Sequence, residues 1–131
     1  MYNKINLNFY NDERGSLLPF EFSNLPFEPK RIFVVDNVPI GAVRGNHSHY
    51  KTNQFLICSK GRVTVNLDNG CSKFSFILKS GEAVLIPELV WDSQEFIDAD
   101  SQIIVVCSTP YDISDYILTY SNFLLAIKKF L

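Results

Sequence analysis

Between Arg31 and Cys107 the chain is a succession of short β-prone runs, each closed by a turn, and this rhythm limits what it can fold into. Arg31-Ile32-Phe33-Val34-Val35 is the first run, and residues 54–58 form the next. Residues 62–67 alternate, with Val63, Val65 and Leu67 on one face and Thr64 and Asn66 on the other, the pattern of a half-buried strand. Asp68-Asn69-Gly70 is a hairpin turn, and residues 73–78 return with Phe74, Phe76 and Leu78 on one face. After the turn Ser80-Gly81-Glu82, residues 83–86, 90–96 and 103–107 add three more strands. Short strands at roughly ten-residue spacing predict an all-β sandwich or barrel. Gly41, Gly61 and Gly81 read as turn residues.

The two ends differ from this body. Residues 120–130 are apolar at near-helical spacing and close on Lys128-Lys129, where cations suit a helix C-terminus. A short C-terminal helix is expected there. Near the other end, Asn11-Asp12-Glu13-Arg14-Gly15-Ser16 is a polar turn between residues 5–9 and 17–22. The hairpin it predicts either covers the sheet or exchanges with a partner subunit.

All 131 residues, 1–131, read as a single domain, long enough to bury roughly two-thirds of its unfolded surface. A net charge of −2 gives no reason to expect a nucleic-acid surface. No apolar run approaches the roughly 20 residues a membrane span needs, so no membrane partner is expected. Met1-Tyr2-Asn3-Lys4-Ile5-Asn6 does not read as a secretory signal. Cys58, Cys71 and Cys107 are odd in number and in no CxxC spacing, which points to reduced thiols and a cytoplasmic location. Cys58 and Cys107 sit in apolar runs and are expected to be buried.

The chemistry concentrates in Arg44-Gly45-Asn46-His47-Ser48-His49, which holds the only two histidines. Two apart on a strand, they face the same way, about 7 Å apart along the backbone. Paired imidazoles on one face suit either a metal ion or acid–base work near neutral pH.

Spacing extends the pattern. Gly41, His47, His49, Gln54 and Gly61 resemble the first cupin motif, G-x5-H-x-H-x4-E-x6-G, with Gln54 in place of Glu. Gly81 and Pro87 resemble the start of the second motif, whose later glycine and histidine positions hold Leu89 and Asp92. The resemblance implies a cupin, a double-stranded β-helix or jelly-roll barrel, here with the short C-terminal helix. Metal cupins of the usual kind bind through three histidines and a glutamate. Gln54 is a neutral, weak ligand, and a His-His-Gln-Asp set is poor for zinc and incomplete for a two-histidine, one-carboxylate iron site unless Asp92 points inward. The expectation is therefore no metal and no cofactor, with two free imidazoles able to move protons.

A closer resemblance runs nearly end to end. Arg44-Gly45-x-His47-x-His49, Gln54, Gly61, Leu67-Asp68-Asn69-Gly70, Pro87, Trp91, Tyr111-Asp112 and Asp115-Tyr116-Ile117 are similar to the dTDP-sugar 3,4-ketoisomerases, which include WxcM-like proteins. Asp12-x-Arg14-Gly15-Ser16-Leu17 and Lys30-Arg31 fit as well. The resemblance implies a metal-independent homodimeric isomerase. Its substrate would be dTDP-4-keto-6-deoxy-D-glucose and its product the 3-keto isomer, feeding 3-amino sugars of surface polysaccharides such as lipopolysaccharide O-antigen. It implies His49 as the base on carbon and His47 as the shuttle on oxygen. The expected substrate-binding residues are Arg44, Gln54, Arg14, Arg31, Phe33, Trp91 and Asp92. Arginines match pyrophosphate, and aromatic rings match thymine. Tyr111, Asp112, Asp115 and Tyr116 are expected to fix the C-terminal segment to the barrel. Three departures are visible: Phe33 and Val34 where some relatives have a tyrosine, Asp92 where relatives have histidine, and Asn53 before Gln54. The competing readings are a metal-dependent cupin enzyme and a non-catalytic sugar-nucleotide-binding cupin.

Overall fold

The computed structural model describes residues 2–131. Its strands are β1 (Ile5–Asn6), β2 (Tyr10–Asp12), β3 (Gly15–Leu17), β4 (Arg31–Val35), β5 (Val43–His49) and β6 (Gln54–Lys60). They continue as β7 (Arg62–Asp68), β8 (Lys73–Lys79), β9 (Glu82–Ile86), β10 (Trp91–Phe96), β11 (Gln102–Cys107) and β12 (Tyr116–Ile117). One helix follows, α1 (Tyr120–Phe130). The strands form two five-stranded sheets, β1-β9-β6-β11-β4 and β12-β5-β10-β7-β8, and a separate β2-β3 ribbon. The chain switches sheet at almost every step, the β2–β3 and β7–β8 hairpins excepted. That switching is the jelly-roll winding the cupin motifs imply.

Alternation in the strands puts the core between the sheets. Val63, Val65 and Leu67 of β7 meet Leu78 of β8, Leu56 of β6, Phe96 of β10 and Val105 of β11. Cys58 and Cys107 are buried in the same cluster. Burial pushes the Cys58 thiol up to about 12, so it stays protonated and inert.

Both outer faces are partly covered. Leu7, Leu18, Phe20, Leu25 and Phe27 pack onto Phe55, Ile57, Ala83 and Val106. Phe20 stacks on Phe55 with ring centroids 4.6 Å apart. On the second sheet, Phe123 and Ala126 of α1 pack with Leu89, Ile117 and Trp91. Thr119 caps α1 by accepting from the Asn122 amide.

The N-terminal hairpin is shorter than the sequence pattern predicts. Its arms are β2 and β3 rather than residues 5–9 and 17–22. Ile5 and Asn6 instead pair with Ala83 and Glu82 in the first sheet, and Phe22–Asn24 is a 3-10 turn. Two forces divide the segment. The Asp12 carboxylate accepts from the Arg14 amide and guanidinium, tightening the turn. Leu7, Leu18 and Phe20 gain more from burial on the sheet than from pairing with each other.

Candidate active site

The site begins with an irregularity in β5. Opposite β10, His47 pairs with Asp92, Gly45 with Ser93 and Arg44 with Gln94, so Asn46 is an extra, unpaired residue. Gly45 has φ 89° and Asn46 φ 57°, both left-handed. A Cβ on Gly45 would lie 3.1 Å from Asp92 O, Gln94 Oε1 and Ser93 Cα. Only glycine combines that φ with that closeness. Residues three apart on a regular strand face opposite ways, but the bulge absorbs one position. Arg44 and His47 therefore both line the barrel interior.

His49 is held from the other side by β12, where Tyr116 pairs with His49 and Ile117 with Ser48. This pairing brings Asp115 to 3.2 Å from His49 Nδ1. The same carboxylate accepts from the Lys51 amide at 2.8 Å, from the Thr52 amide at 3.2 Å, and from the Thr52 hydroxyl. An ionised carboxylate only accepts, so Nδ1 carries the proton and Nε2 keeps its lone pair. His49 Nε2 is buried without a protein partner. Burial foremost, then the charges of His47 and Arg31, lower the imidazole to about 4 against the pull of Asp115. His49 is thus neutral at physiological pH, with a free lone pair.

Aromatic rings and one guanidinium frame the pair. The His47 and His49 rings lie 5.2 Å apart at 86°. Tyr116 covers both, at 5.3 Å from His47 and 4.4 Å from His49. Its hydroxyl accepts from Arg31 Nη2 at 3.2 Å. The Arg31 guanidinium lies 4.9 Å from the Phe33 ring and 5.1 Å from the Tyr111 ring.

Inside lies a cavity of about 80 Å³, walled by Phe33, Arg44, His47, Gln54, Asp92 and Gln94 among others. A cavity of this size has room for part of a ligand rather than for a whole nucleotide sugar. Gln54 is buried, its Nε2 3.9 Å from Cys107 Sγ. Asp92 is 2% exposed; its Oδ1 accepts from Gln94 Nε2 at 2.6 Å, and its Oδ2 has no partner. Burial raises the carboxyl to about 6, against the opposing pull of His47 and the Gln94 bond. A wider groove of about 740 Å³, lined by Tyr50, Lys51, Tyr111, Asp115 and Phe130 among others, shares no wall residue with the cavity.

The structure gathers His47, His49, Arg44, Gln54, Arg31, Phe33 and Asp92 at the cavity or its mouth. It separates two expected residues from them. Trp91 points outward and packs on α1, 5.5 Å from the Tyr120 ring and 5.8 Å from Phe123. Adjacent strand residues face opposite ways, and Asp92 holds the inward place. Arg14 is exposed on the β2-β3 ribbon, 2.6 Å from Asp12. Asp115 and Tyr116 do fasten the C-terminal segment, as the sequence pattern predicts, and they also touch the histidines.

The fold is a small cupin barrel with a histidine pair beside its cavity. A family model described as FdtA, WxcM-like, C-terminal matches residues 2–128, and the chain belongs to that family. It is 36% identical over 133 residues to a TDP-4-oxo-6-deoxy-alpha-D-glucose-3,4-oxoisomerase from Aneurinibacillus thermoaerophilus, covering 98% of this chain and 95% of that one. QdtA, a sugar 3,4-ketoisomerase from Thermoanaerobacterium thermosaccharolyticum solved with TDP, superposes with a TM-score of 0.88 at 31% identity, covering 99% of this chain and 97% of that one. A histidine-to-asparagine variant of QdtA, solved with TDP-4-keto-6-deoxyglucose, gives 0.89 at 29% identity, covering 99% and 96%. The chain is accordingly an isomerase of the cupin class.

Proposed function

We propose that this chain is a nucleotide-sugar 3,4-ketoisomerase that converts TDP-4-keto-6-deoxyglucose to its 3-keto isomer by proton transfer between histidines and substrate. The observation that carries this reading is the pairing of a neutral, Asp115-held His49, its Nε2 free, with His47 in the adjacent position.

The chemistry follows from the groups. A C4 ketone acidifies the hydrogen at C3. His49 Nε2 takes that proton, and the imidazolium so formed is stabilised by Asp115. The C3–H electron pair becomes a C3–C4 double bond while the carbonyl pair moves onto O4. His47 handles the oxygen protons, and His49 returns its proton at C4 as the C3 ketone forms. Arg44, and Arg31 with Tyr116, offer hydrogen-bond donors to the enediolate oxygens. In this reading the C3–C4 edge of the sugar enters the cavity and the nucleotide lies outside the barrel. Arg31, set among Phe33, Tyr111 and Tyr116, offers a cation and ring faces there.

The same reading includes a homodimer. β4 is an edge strand whose outward residues Ile32 and Val34 are 58% and 54% exposed. An open apolar edge of this kind is suited to pairing with a second copy. It also includes a cytoplasmic setting, supported by three free cysteines. No described helix is long and apolar enough to cross a membrane. A metal-dependent reading lacks support in the donor geometry: among the described residues no group of three or more His, Cys, Asp or Glu is placed to hold an ion.

The test is incubation with TDP-4-keto-6-deoxyglucose in heavy water, followed by NMR. The 3-keto product with solvent deuterium at C4 is expected. Ligand binding without product or exchange would favour the non-catalytic alternative.

A further inference from the structure

We propose that Asp92 is a catalytic residue, forming with His47 a two-site relay that carries the oxygen proton of the ketoisomerase reaction. The inference rests on the ketoisomerase reading and adds to it a carboxyl acid that works beside the imidazole.

Geometry carries the argument. Asp92 and His47 are cross-strand partners on β10 and β5, and both line the cavity. Such partners hold their Cβ atoms about 4.5–5.5 Å apart. Gln94, two residues along the same face, bonds Oδ1 and fixes the carboxyl plane. Oδ2 is left buried with no protein partner. A buried carboxyl oxygen without a partner is costly, and a ligand hydroxyl or carbonyl in the cavity would satisfy it.

The surroundings favour a mobile proton. From β5, Arg44 and His47 face the cavity; β6 presents Gln54 and Leu56, β4 Phe33 and Val35, and β11 Ile103 and Val105. Across β7 the partner of Asp92 is Leu67. The carboxyl thus feels the charge of one imidazole, bonds the Gln94 amide, and otherwise shares the cavity wall with Arg44 and with neutral or apolar groups. Burial favours its protonated form, while the His47 charge favours the carboxylate. The carboxyl makes no bond to His47 itself, so a ligand oxygen seated between the two groups is what joins the two sites.

The step balances. As His49 removes the C3 hydrogen, the relay gives its proton to O4, completing the O4–H bond. Next the relay takes the O3 proton, and that O–H electron pair becomes the C3 carbonyl. The double-bond electrons accept the His49 proton at C4. Both protein groups end as they began.

The experiment compares wild type with Asp92→Asn, which keeps the shape and the Gln94 contact but carries no transferable proton. Expected are turnover about 10²-fold lower or more, TDP binding within about twofold of wild type, and at least a tenfold rise in C3 deuterium exchange relative to product formed. Unchanged turnover overturns the proposal. So does lost turnover with an unchanged exchange-to-product ratio, which marks a structural role. A second measurement stands apart from activity: infrared titration of the folded protein from about pH 5 to about pH 8. A protonated-carboxyl band should fade over this range, be absent from Asp92→Asn, and persist to higher pH in His47→Asn. A band unaffected by His47→Asn overturns the pairing. If wild type shows this band and its His47 dependence but makes no 3-keto product, the ketoisomerase reading fails, and the relay's catalytic role with it.

Discussion

The Asp115 carboxylate lies 3.2 Å from His49 Nδ1, although the two are 66 positions apart in the chain. This contact fixes the tautomer of His49 and, in the proposed mechanism, gives the imidazolium a counter-ion. Asp115→Asn removes the charge and leaves the amide free to present a donor to Nδ1. Turnover should fall by about 10²–10⁴-fold with TDP affinity little changed, read by steady-state kinetics and calorimetry.

His47 and His49 should fail differently. His49→Asn is expected to lose both turnover and C3 exchange in heavy water. His47→Asn is expected to lose turnover while some exchange persists, because the carbon base remains. Both variants should still bind TDP, and full activity in both would sink the mechanism.

Gly45→Ala tests the bulge. A left-handed backbone costs a residue with a Cβ roughly 1–2 kcal/mol. Here the new methyl also meets backbone of Asp92 and Ser93 at 3.1 Å. A lower Tm is expected, together with reduced turnover, because relief of the contact moves Asp92 against His47.

Acid stability follows from two opposing shifts. His49 is lowered from 6.5 to about 4, so its contribution is present above 6.5 and is lost as pH falls through 4. Asp92 is raised from 3.8 to about 6, so its contribution is present below 3.8 and is lost as pH rises through 6. Over the shared window the two slopes oppose each other. Asp92→Asn removes one of them, and urea unfolding at stepped pH should show stability falling more steeply on acidification than in wild type.

Ile32→Lys with Val34→Glu should leave a monomer with an intact barrel, since both side chains point to solvent in the single chain. Light scattering reads the mass. A wild-type protein that is monomeric at micromolar concentration would refute the dimer.

Much of the barrel was legible because alternation and turn chemistry are local. Residues 62–67 and 73–78 carry their faces in their own order, and Asp68-Asn69-Gly70 carries their turn. The histidine pair was legible for the same reason. Arg44 could be expected beside His47 only through family resemblance, because regular alternation places it on the opposite face and the bulge was not anticipated. Trp91 and Asp92 are both expected at the ligand; alternation turns Asp92 into the cavity and packs Trp91 on α1. Asp115 was seen as an anchor and missed as the partner of His49. That role depends on the register of a two-residue strand, which no local pattern specifies. A carboxylate two positions before the Ile117 that pairs with Ser48 was the available clue.

The β12–β5 pairing also has a consequence in time. Both imidazoles leave the ribosome long before the carboxylate that bonds one of them. A nascent chain that has reached Cys107 holds the strands of the barrel except β12, together with both histidines, yet has neither Asp115 nor Tyr116. Under the proposed mechanism, turnover then waits for the C-terminal segment to dock, and catalytic competence becomes a readout of completed folding.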